Sequence, residues 1–480
     1  MVGMKPALIA LLAFLFFSHG ILQAADSRPN VLFIMADDLR AELNCMGAKH
    51  VKSPHLDALA RRGRLFTRAY CQQAVCNPSR ASMMTGLRPD TLGIWDLPTH
   101  LRQQKPEVVT LPQHFKNNGY FTQGIGKLFH NWRQEIQGDP KSWSAPQTLH
   151  YATHGSDKPK VQGKLPPNLT KNPKCDKRDV PDEAYFDGRI ANLAVQTLGE
   201  LKKKKQPFFL GVGFWKPHLP FNAPKRYWDM YDPEKLPPLT NPKPPARVPK
   251  IALHDAREML RSFKGKSPSP AQVRELRQGY YAATTYMDAQ IGKVLAELDR
   301  LGLRENTIVT FASDHGFHLG EHGLWAKTSC FEWDAGVPMI IAPPRISHPG
   351  EPTAALAELL DLYPTLIDLA QLPRPAHLEG VSLTDALKNP QAVIKRAAFT
   401  QHPRPAYYKG APEAMGYSMR TSNFRYTEWR DWKTGKIIGR ELYNHRKDPG
   451  ENVNAVDRQA TLATQFSQQL GKIFPIRKHP

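Results

Sequence analysis

Four short apolar runs recur along the chain, and each ends abruptly in charged or imidazole side chains. They are NVLFIMADDLR (30–40), YFTQGIGKLFH (120–130), PFFLGVGFWKPHLPF (207–221) and NTIVTFASDHG (306–316). Short apolar runs bounded by polar residues are typical of strands that are buried on both faces. In open α/β sheets, ligands bind beyond the carboxyl ends of parallel strands. The runs therefore predict that polar side chains distant in sequence meet at one edge of a sheet.

Helix signals lie between these runs. In SPHLDALARRG, Ser53 is placed to cap a helix, Pro54 occupies the first helical position, and Gly63 ends the helix. A longer helix is predicted over 270–301, where apolar residues keep helical spacing along one face. A further apolar run at 337–342 adds one more strand. The pattern predicts an α/β fold, with a large, mostly parallel sheet sandwiched by helices.

The chain divides into three predicted parts. A basic residue followed by the apolar run ALIALLAFLFF indicates a cleaved secretory signal at 1–25, and a retained anchor is the weaker alternative. The catalytic domain is predicted over 26–384. A smaller C-terminal α+β subdomain with antiparallel strands is predicted over 385–480. Two stretches rich in Pro and Lys, 139–182 and 232–270, lack periodicity and are predicted as long surface loops.

The net charge of +21 narrows the class of partner. A strongly positive field concentrates acidic ligands, although scattered Lys and Arg also serve solubility. Export disfavours nucleic acid, so a sulfated or carboxylated polysaccharide is the expected partner. The chain has five cysteines, an odd number in an exported protein, and their spacings match no zinc site or regular disulfide framework. One cysteine therefore needs a separate explanation.

Three carboxylates are predicted at the common edge of the sheet. Asp37 and Asp38 follow the first run, and Asp314 follows the fourth, directly before His315. Any one of these aspartates could instead cap a helix. Together they supply the hard oxygen ligands that Ca²⁺ or Mg²⁺ prefers, whereas zinc is disfavoured by the lack of a thiolate or histidine ligand motif. His315 could act as a nitrogen ligand or contact an anion.

Basic side chains are predicted around the same edge. A cationic pocket beside a metal ion suits a tetrahedral oxyanion whose charge grows in the transition state. Taken singly, each lysine is more often a surface residue and each histidine a satisfied loop residue. The predicted members of the pocket are Arg80, Lys127, His130, His218 and Lys327.

The stretch CNPSRASMMTG, which begins at Cys76, resembles the signature of the type I sulfatases. In that family a C-x-P-x-R core directs oxidation of the cysteine to formylglycine. The resemblance extends over nearly the whole mature chain and is strongest to the iduronate-2-sulfatases. It is carried by the ordered set NVLFIMADDLR, NCMGAKHVKSPHLDALA, CQQAVCNPSR, GLRPDT, GKLFH, WKPHLPF, SDHGFHLGEHGLWAK and GYSMRTSNFRYTEW. The resemblance implies an alkaline-phosphatase-like fold and sulfate ester hydrolysis.

The resemblance also implies roles for individual residues. Cys76, converted by a formylglycine-generating enzyme, would be the nucleophile and would share one Ca²⁺ with the metal-site residues. His218 would protonate the leaving sugar oxygen, and His130 would take a proton when sulfate is expelled. Lys327 would neutralise sulfate oxygens. The implied catalytic set is Cys76, Arg80, Lys127, His130, His218 and Lys327, and the implied metal set is Asp37, Asp38, Cys76, Asp314 and His315.

The implied substrate is a 2-O-sulfated uronic acid of a sulfated oligosaccharide or polysaccharide. Phe317, Trp325 and Arg420 are predicted to contact the sugar, although core packing explains the two aromatic residues equally well. A phosphatase or phosphodiesterase of the same fold, a non-catalytic polyanion-binding protein and a buried, inert Cys76 thiol stay open as alternatives. We expect an exported protein (lysosomal in a eukaryote) with no membrane span after signal removal.

Overall fold

The computed structural model describes residues 28–130, 134, 136–149, 174–407 and 411–476. The predicted signal at 1–25 lies outside the described residues, as does most of the first predicted loop. In the described part of the chain, no helix is long and apolar enough to cross a membrane.

The strands of the described chain alternate with helices through its first two thirds. The strands are β1 (Asn30–Asp37), β2 (Arg64–Tyr70), β3 (Phe121–Gly126), β4 (Cys175–Arg178), β5 (Phe208–Pro217), β6 (Phe221–Pro224), β7 (Thr307–Ser313), β8 (His318–Leu319), β9 (Trp325–Ala326), β10 (Gly336–Ala342), β11 (Thr353–Glu358), β12 (Ala397–Arg404), β13 (Ala414–Thr421), β14 (Phe424–Asp431) and β15 (Ile437–Asn444).

The helices cover both faces of the main sheet and one face of a smaller one. They are α1 (Pro54–Arg62), α2 (Cys76–Thr85), α3 (Pro89–Leu92), α4 (Leu101–Gln104), α5 (Leu111–Asn117), α6 (Phe186–Lys202), α7 (Lys225–Trp228), α8 (Arg257–Leu260), α9 (Pro270–Arg300), α10 (Glu332–Ala335), α11 (Leu362–Leu369), α12 (Thr384–Lys388) and α13 (Ala460–Ile473).

The main sheet has seven strands in the order β11-β2-β10-β7-β1-β5-β3. The four strands predicted from the apolar runs, β7, β1, β5 and β3, are neighbours and run parallel. Their carboxyl ends therefore meet at one edge, and this prediction is confirmed. The run at 337–342 forms β10, which is antiparallel to both of its neighbours, so the sheet is mixed. All eight residues of β1 are buried, as expected for a strand covered on both faces.

The two predicted helices are present, but one begins differently from the prediction. α9 starts with a capping box, in which Ser269 Oγ accepts a hydrogen bond from the Gln272 amide. At α1, Ser53 occupies the N-cap position but its hydroxyl does not cap the helix. The Asp288 carboxylate of α9 instead accepts from the amides of His55 and Leu56 at 3.1 and 2.7 Å. A tertiary contact has replaced the local cap.

The C-terminal strands form a separate antiparallel sheet in the order β12-β13-β14-β15, against which α13 packs. This confirms a smaller subdomain of antiparallel strands. The predicted limits of the main domain, 26–384, and of the subdomain, 385–480, stay a prediction. The segment 232–270 is less regular than a helix or strand but contains α8 and several short 3-10 turns. Its importance lies in where α8 is placed, beside the polar edge of the main sheet.

Candidate active site

The polar edge of the main sheet is a buried pocket, here called the Cys76 pocket. Every member has a relative exposure of 7% or less. The backbone at Asp38 is left-handed, with φ at 64°, which Asp tolerates better than most residues. This conformation turns the Asp38 amide toward Asp314 Oδ1, 3.2 Å away. The pocket consists of Asp37, Asp38, Cys76, Arg80, Lys127, His130, His218, Asp314, His315 and Lys327.

Cys76 is the first residue of α2 and lies in the middle of this pocket. Its Sγ is 3.5 Å from both Asp37 Oδ1 and His315 Nε2, and 3.7 Å from Lys127 Nζ. Burial, with the added charge of Asp37, holds the pKa of the Cys76 thiol well above its usual value. A protonated thiol is a poor nucleophile. The cysteine is therefore well placed for chemistry but unsuited to perform it as a thiol.

Arg80 lies one helical turn after Cys76, on the same face of α2. Its Nε is 2.8 Å from Asp314 Oδ2, and its NH2 is 3.4 Å from Asp37 Oδ1. The guanidinium also donates to the carbonyl oxygens of Ala36, at 3.1 Å, and of Lys127. Arg80 thus ties the ends of three strands to α2, and these contacts fix Cys76 relative to the carboxylates.

The carboxylate cluster fits a hard cation. His315 Nδ1 lies 2.9 Å from the Gly316 carbonyl oxygen, which can only accept, so Nδ1 carries the proton. Burial lowers the pKa of His315, which keeps the ring neutral and leaves a lone pair on Nε2. That lone pair faces Asp38 Oδ1 at 3.3 Å and Asp314 Oδ2 at 3.7 Å. Acceptors that face one another repel unless a cation lies between them, and oxygen ligands with one imidazole suit a divalent metal.

The two adjacent aspartates have opposite electrostatic environments. Burial opposes ionisation of Asp37, but Lys127, His218 and Arg80 outweigh it and hold the pKa of Asp37 well below its usual value. Burial raises the pKa of Asp38 well above its usual value, and the neighbouring Asp37 carboxylate adds to this effect. A further positive charge at the cluster would stabilise the ionised form of Asp38, which again fits a cation.

Lys327 and His218 form the other wall of the pocket. Lys327 Nζ lies 2.8 and 3.0 Å from the two oxygens of Asp38, and 3.1 Å from Glu258 Oε1. His218 Nε2 is 3.8 Å from Asp38 Oδ2 and 3.5 Å from Glu258 Oε1. The Tyr407 hydroxyl donates to Glu258 Oε2 at 2.6 Å. Glu258 and Tyr407 were missed by sequence reasoning, because neither follows a predicted strand or belongs to a periodic segment.

His130 differs from its neighbours in its hydrogen bonding. Neither of its ring nitrogens has a hydrogen-bond partner among the residues that the structure describes. Burial and the charge of Lys127 hold the pKa of His130 well below its usual value, so the ring is neutral. A buried polar group without a partner costs about 1–3 kcal/mol. Such a group in a pocket is suited to exchange a proton with a bound substrate.

The aromatic residues predicted to contact the sugar lie in the core. Phe317 is fully buried, with its ring stacked on Tyr280 at a centroid distance of 5.5 Å and its edge toward Phe221. Trp325 is 6% exposed and belongs to the same apolar cluster. The sugar contact of Phe317 and Trp325 stays a prediction, and both side chains are buried in the described structure.

Arg420 also lies away from the Cys76 pocket. Its Nε is 3.0 Å from Glu332 Oε2, and its NH2 lies 2.9 Å from His445 Nδ1. Arg420 belongs to β13. These contacts place its side chain in a charge network between the two sheets. Its role in substrate binding stays a prediction, and its guanidinium contacts side chains of that network.

The fold agrees with comparisons to known proteins. A family model described as "Sulfatase" matches residues 29–372, and one described as "N-sulphoglucosamine sulphohydrolase, C-terminal" matches residues 320–474. Iduronate 2-sulfatase of Mus musculus is 35% identical, and the match covers 88% of this chain and 90% of that protein.

Two solved structures share the fold at low sequence identity. A phosphonate monoester hydrolase from Silicibacter pomeroyi superposes with a TM-score of 0.76 at 23% identity, covering 94% of this chain and 96% of that one. A protein solved with its substrate D-glucosamine-2-N,6-O-disulfate gives a TM-score of 0.74 at 22% identity, covering 94% of this chain and all of that one.

Proposed function

Because the chain belongs to the sulfatase family, whose members hydrolyse sulfate esters, we propose that it acts through a formylglycine made from Cys76. We further propose one Ca²⁺ as its metal and a 2-O-sulfated uronic acid of a sulfated polysaccharide as its substrate. The observation that carries the proposal is the placement of Cys76. A cysteine in a C-x-P-x-R sequence lies between Asp37, His315 and Lys127, in a pocket that suits a metal and an oxyanion.

The groups that the family implies fit the residues present. A hydrated formylglycine at position 76 would supply two hydroxyls, one to attack sulfur and one to release sulfate afterwards. Ca²⁺ would be held by Asp37, Asp38, Asp314 and His315, and would supply Lewis-acid stabilisation of negative oxygens. A formylglycine-generating enzyme is then a required partner.

The remaining residues supply charge and proton transfer. Lys127 and Arg80 place positive charge beside position 76, where it would favour ionisation of an attacking hydroxyl. Lys327 would neutralise sulfate oxygens in the transition state. His218 would give a proton to the leaving sugar oxygen. His130 is neutral and lacks a partner among the described residues, so it can accept the proton released with sulfate.

The substrate proposal has two supports. The mouse protein that is 35% identical over most of both chains is an iduronate 2-sulfatase. The net charge of +21 favours encounter with a polyanion such as heparan, dermatan or a sulfated algal polysaccharide. The N-terminal apolar run supports export to the periplasm or the extracellular space, or delivery to the lysosome in a eukaryote.

A phosphate or phosphonate hydrolase is the second candidate, since one of the structures that share the fold has that activity. A phosphatase or phosphodiesterase of this fold that uses a second metal ion would need a further group of metal ligands. Asp38, His218 and Glu258 form a group with suitable ligand atoms. The Lys327 ammonium already contacts both carboxylates of that group, at 2.8 and 3.1 Å. This fixed cation favours sulfate, which needs less positive charge than a phosphate monoester.

The test is expression alongside a formylglycine-generating enzyme, followed by mass spectrometry of the peptide 69–80. We expect conversion of Cys76 to formylglycine and release of sulfate from 2-O-sulfated uronate disaccharides. Parallel assays use 6-O-sulfated glucosamine, an aryl sulfate and an aryl phosphate. An unmodified Cys76 together with no sulfate release from any substrate would refute the proposal. Faster release of phosphate than of sulfate would favour the second candidate.

A further inference from the structure

Glu258 is a partly exposed charged side chain at the Cys76 pocket, and the proposed reaction assigns it no step. Its side chain is 18% exposed, compared with 3% for Lys327 and 7% for His218. It is carried by α8, a helix of four residues inside the segment 232–270. Glu258 is therefore more accessible to solvent than Lys327 or His218.

Glu258 contacts two groups that the proposed function places at the scissile bond. Its Oε1 lies 3.1 Å from Lys327 Nζ and 3.5 Å from His218 Nε2. In the proposed function these two groups contact the sulfate and the ester oxygen that joins it to the sugar. Substituents on adjacent ring carbons lie within hydrogen-bonding distance of each other, so a side chain that touches both groups can reach the substituent on the carbon next to the sulfated one.

The orientation of the carboxylate is fixed from the side opposite the pocket. The Tyr407 hydroxyl donates to Oε2 at 2.6 Å, which leaves Oε1 directed toward Lys327 and His218. Tyr407 follows β12 of the small sheet, so the two sheets jointly position Glu258. An ionised carboxylate accepts hydrogen bonds and cannot donate them, and it repels another anion. Its chemistry therefore favours a hydroxyl over a second sulfate on the neighbouring carbon.

We propose that Glu258 is a specificity-determining residue that accepts a hydrogen bond from the hydroxyl adjacent to the scissile sulfate. This inference rests on the proposed function and narrows its substrate class to sugar sulfates with a free neighbouring hydroxyl. Sugars that carry a second sulfate on that carbon are rejected through charge repulsion. Tyr407 acts through Glu258 and is a positioning residue.

The first experiment separates the hydrogen bond from support of the pocket. Glu258→Ala is assayed on a 2-O-sulfated uronate disaccharide with a free 3-hydroxyl, and on 4-nitrophenyl sulfate, which has no neighbouring hydroxyl. We expect kcat/KM to fall about 10- to 100-fold on the disaccharide, the loss typical of a hydrogen bond to a charged group. On the aryl sulfate the fall should be at least fivefold smaller, because that substrate loses only the support that Glu258 gives to Lys327 and His218. An equal fall on both substrates would show a merely structural role and would overturn the inference.

The second experiment isolates the charge. Glu258→Gln keeps an acceptor oxygen but loses the negative charge, so we expect less than a fivefold fall on the monosulfated disaccharide. The ratio of kcat/KM for that substrate to kcat/KM for a 2,3-di-O-sulfated disaccharide should fall at least tenfold from its wild-type value. Unchanged discrimination would contradict the inference, as would faster turnover of the monosulfated disaccharide by Glu258→Ala, which would mean that the carboxylate merely blocks the pocket.

Two further variants complete the design. Tyr407→Phe should lower kcat/KM on the disaccharide about 2- to 10-fold and leave the aryl sulfate unchanged. Glu234→Gln is the matched control, because this exposed glutamate of the same segment pairs only with Arg274 at 3.0 Å among the described side chains. Glu234→Gln should leave kcat/KM unchanged on both substrates. A wild type that cleaves neither substrate refutes the proposed function, whereas a wild type and Glu258→Ala that behave alike refute only this inference.

Discussion

Two of the clusters of acids, bases and histidines in the described part of the chain are built in opposite ways. In the Cys76 pocket, acceptors face one another and His130 has no partner among the described residues. The second cluster, here called the inter-sheet network, joins the main sheet to the small one, and each of its buried polar atoms has a partner. It consists of Tyr70, Glu332, Arg420, Arg425, His445 and Glu451.

The inter-sheet network shows what a satisfied cluster looks like. Arg425 Nε lies 2.7 Å from Glu451 Oε1, and another nitrogen of the same guanidinium contacts Glu332. The Tyr70 hydroxyl of β2 donates to Glu332 Oε1 at 2.8 Å. His445 Nε2 lies 2.9 Å from Glu451 Oε1. Burial opposes ionisation of Glu451, but Arg425 outweighs it and lowers the pKa of Glu451 to about 2.

The difference distinguishes a site that binds a ligand from a network that stabilises the fold. Both clusters contain side chains whose ligand atoms lie close enough together to hold a metal ion. One group is Asp37, Asp38, Cys76 and His315, and another is Glu332, His445 and Glu451. In the network, two arginines already neutralise the carboxylates. In the Cys76 pocket, two lysines and an arginine neutralise them incompletely, and Asp38 keeps a raised pKa. Incomplete satisfaction is therefore the better sign of function than the presence of ligand atoms.

The largest effect should come from Cys76→Ala. We expect sulfate release to fall on the order of 10⁵-fold or more, because the variant lacks the nucleophile precursor. The unfolding midpoint should stay close to that of the wild type, since Cys76 makes only weak sulfur contacts. Sulfate release and thermal unfolding are measured on the same preparation. Wild-type turnover by this variant would remove Cys76 from the mechanism.

Replacing a histidine in each cluster sharpens the comparison. His130→Leu should lower kcat about 10²- to 10⁴-fold, the range for loss of a general base, with stability unchanged or raised. His445→Leu should lower the free energy of unfolding by about 1–3 kcal/mol, because Glu451 loses a donor, while kcat stays within twofold. Activity assays and urea unfolding distinguish them. A stability loss in His130→Leu as large as that in His445→Leu would erase the distinction.

Arg425→Leu tests the holding role of the inter-sheet network. The variant leaves Glu332 and Glu451 buried with fewer positive charges, and breaking a buried ion pair costs about 3–5 kcal/mol. We expect that loss in urea unfolding, with kcat of the folded enzyme within threefold of the wild type. Full stability would mean that solvent reaches these carboxylates more easily than their burial suggests.

The pH dependence of stability should reveal Glu451. Its pKa is lowered from 4.5 to about 2, so its carboxylate contributes stability above pH 4.5 that is lost as pH falls toward 2. One pKa unit corresponds to about 1.4 kcal/mol, so the contribution is about 3 kcal/mol. Urea unfolding of the wild type and Glu451→Gln is compared from pH 6 to 2.5. The variant should lose less stability over this range, and parallel curves would contradict the assignment.

Within the Cys76 pocket, the smallest expected effect is stabilisation by calcium. A ligand at 100 times its dissociation constant stabilises the folded state by about 2.7 kcal/mol. Ca²⁺ added to chelator-treated Cys76→Ala should raise the unfolding midpoint, since the carboxylates and His315 remain in this variant. Asp38→Asn should abolish the rise. A rise that depends on Glu451 instead would place the metal in the inter-sheet network.

Much of the pocket could be predicted from the sequence, because short buried strands end in recognisable ways. The apolar runs before Asp37, Lys127, His218 and Asp314 indicated strands, and the parallel topology brings their ends together. Cys76 was singled out by the resemblance of CNPSRASMMTG to a family signature. These features are local in sequence, so short patterns were sufficient to find them.

Other features depended on contacts between segments that are far apart in sequence. Glu258 lies 69 residues before Lys327 and 149 before Tyr407, and it sits in a stretch without periodicity. Phe317 adjoins the pocket in sequence, yet its ring faces the core because Tyr280 of α9 packs against it. Sequence cannot tell a ring that lines a pocket from one that fills a core.

By itself, the sequence determined the α/β architecture, the polar strand ends and the cysteine signature, because each follows from patterns within a few residues. Only the tertiary structure decided which charges are satisfied. It assigned Arg420 to the inter-sheet network, brought Glu258 to Lys327 and left His130 without a partner among the described residues. The physical reason is that electrostatic satisfaction depends on distances of a few ångströms between groups that the chain order does not relate.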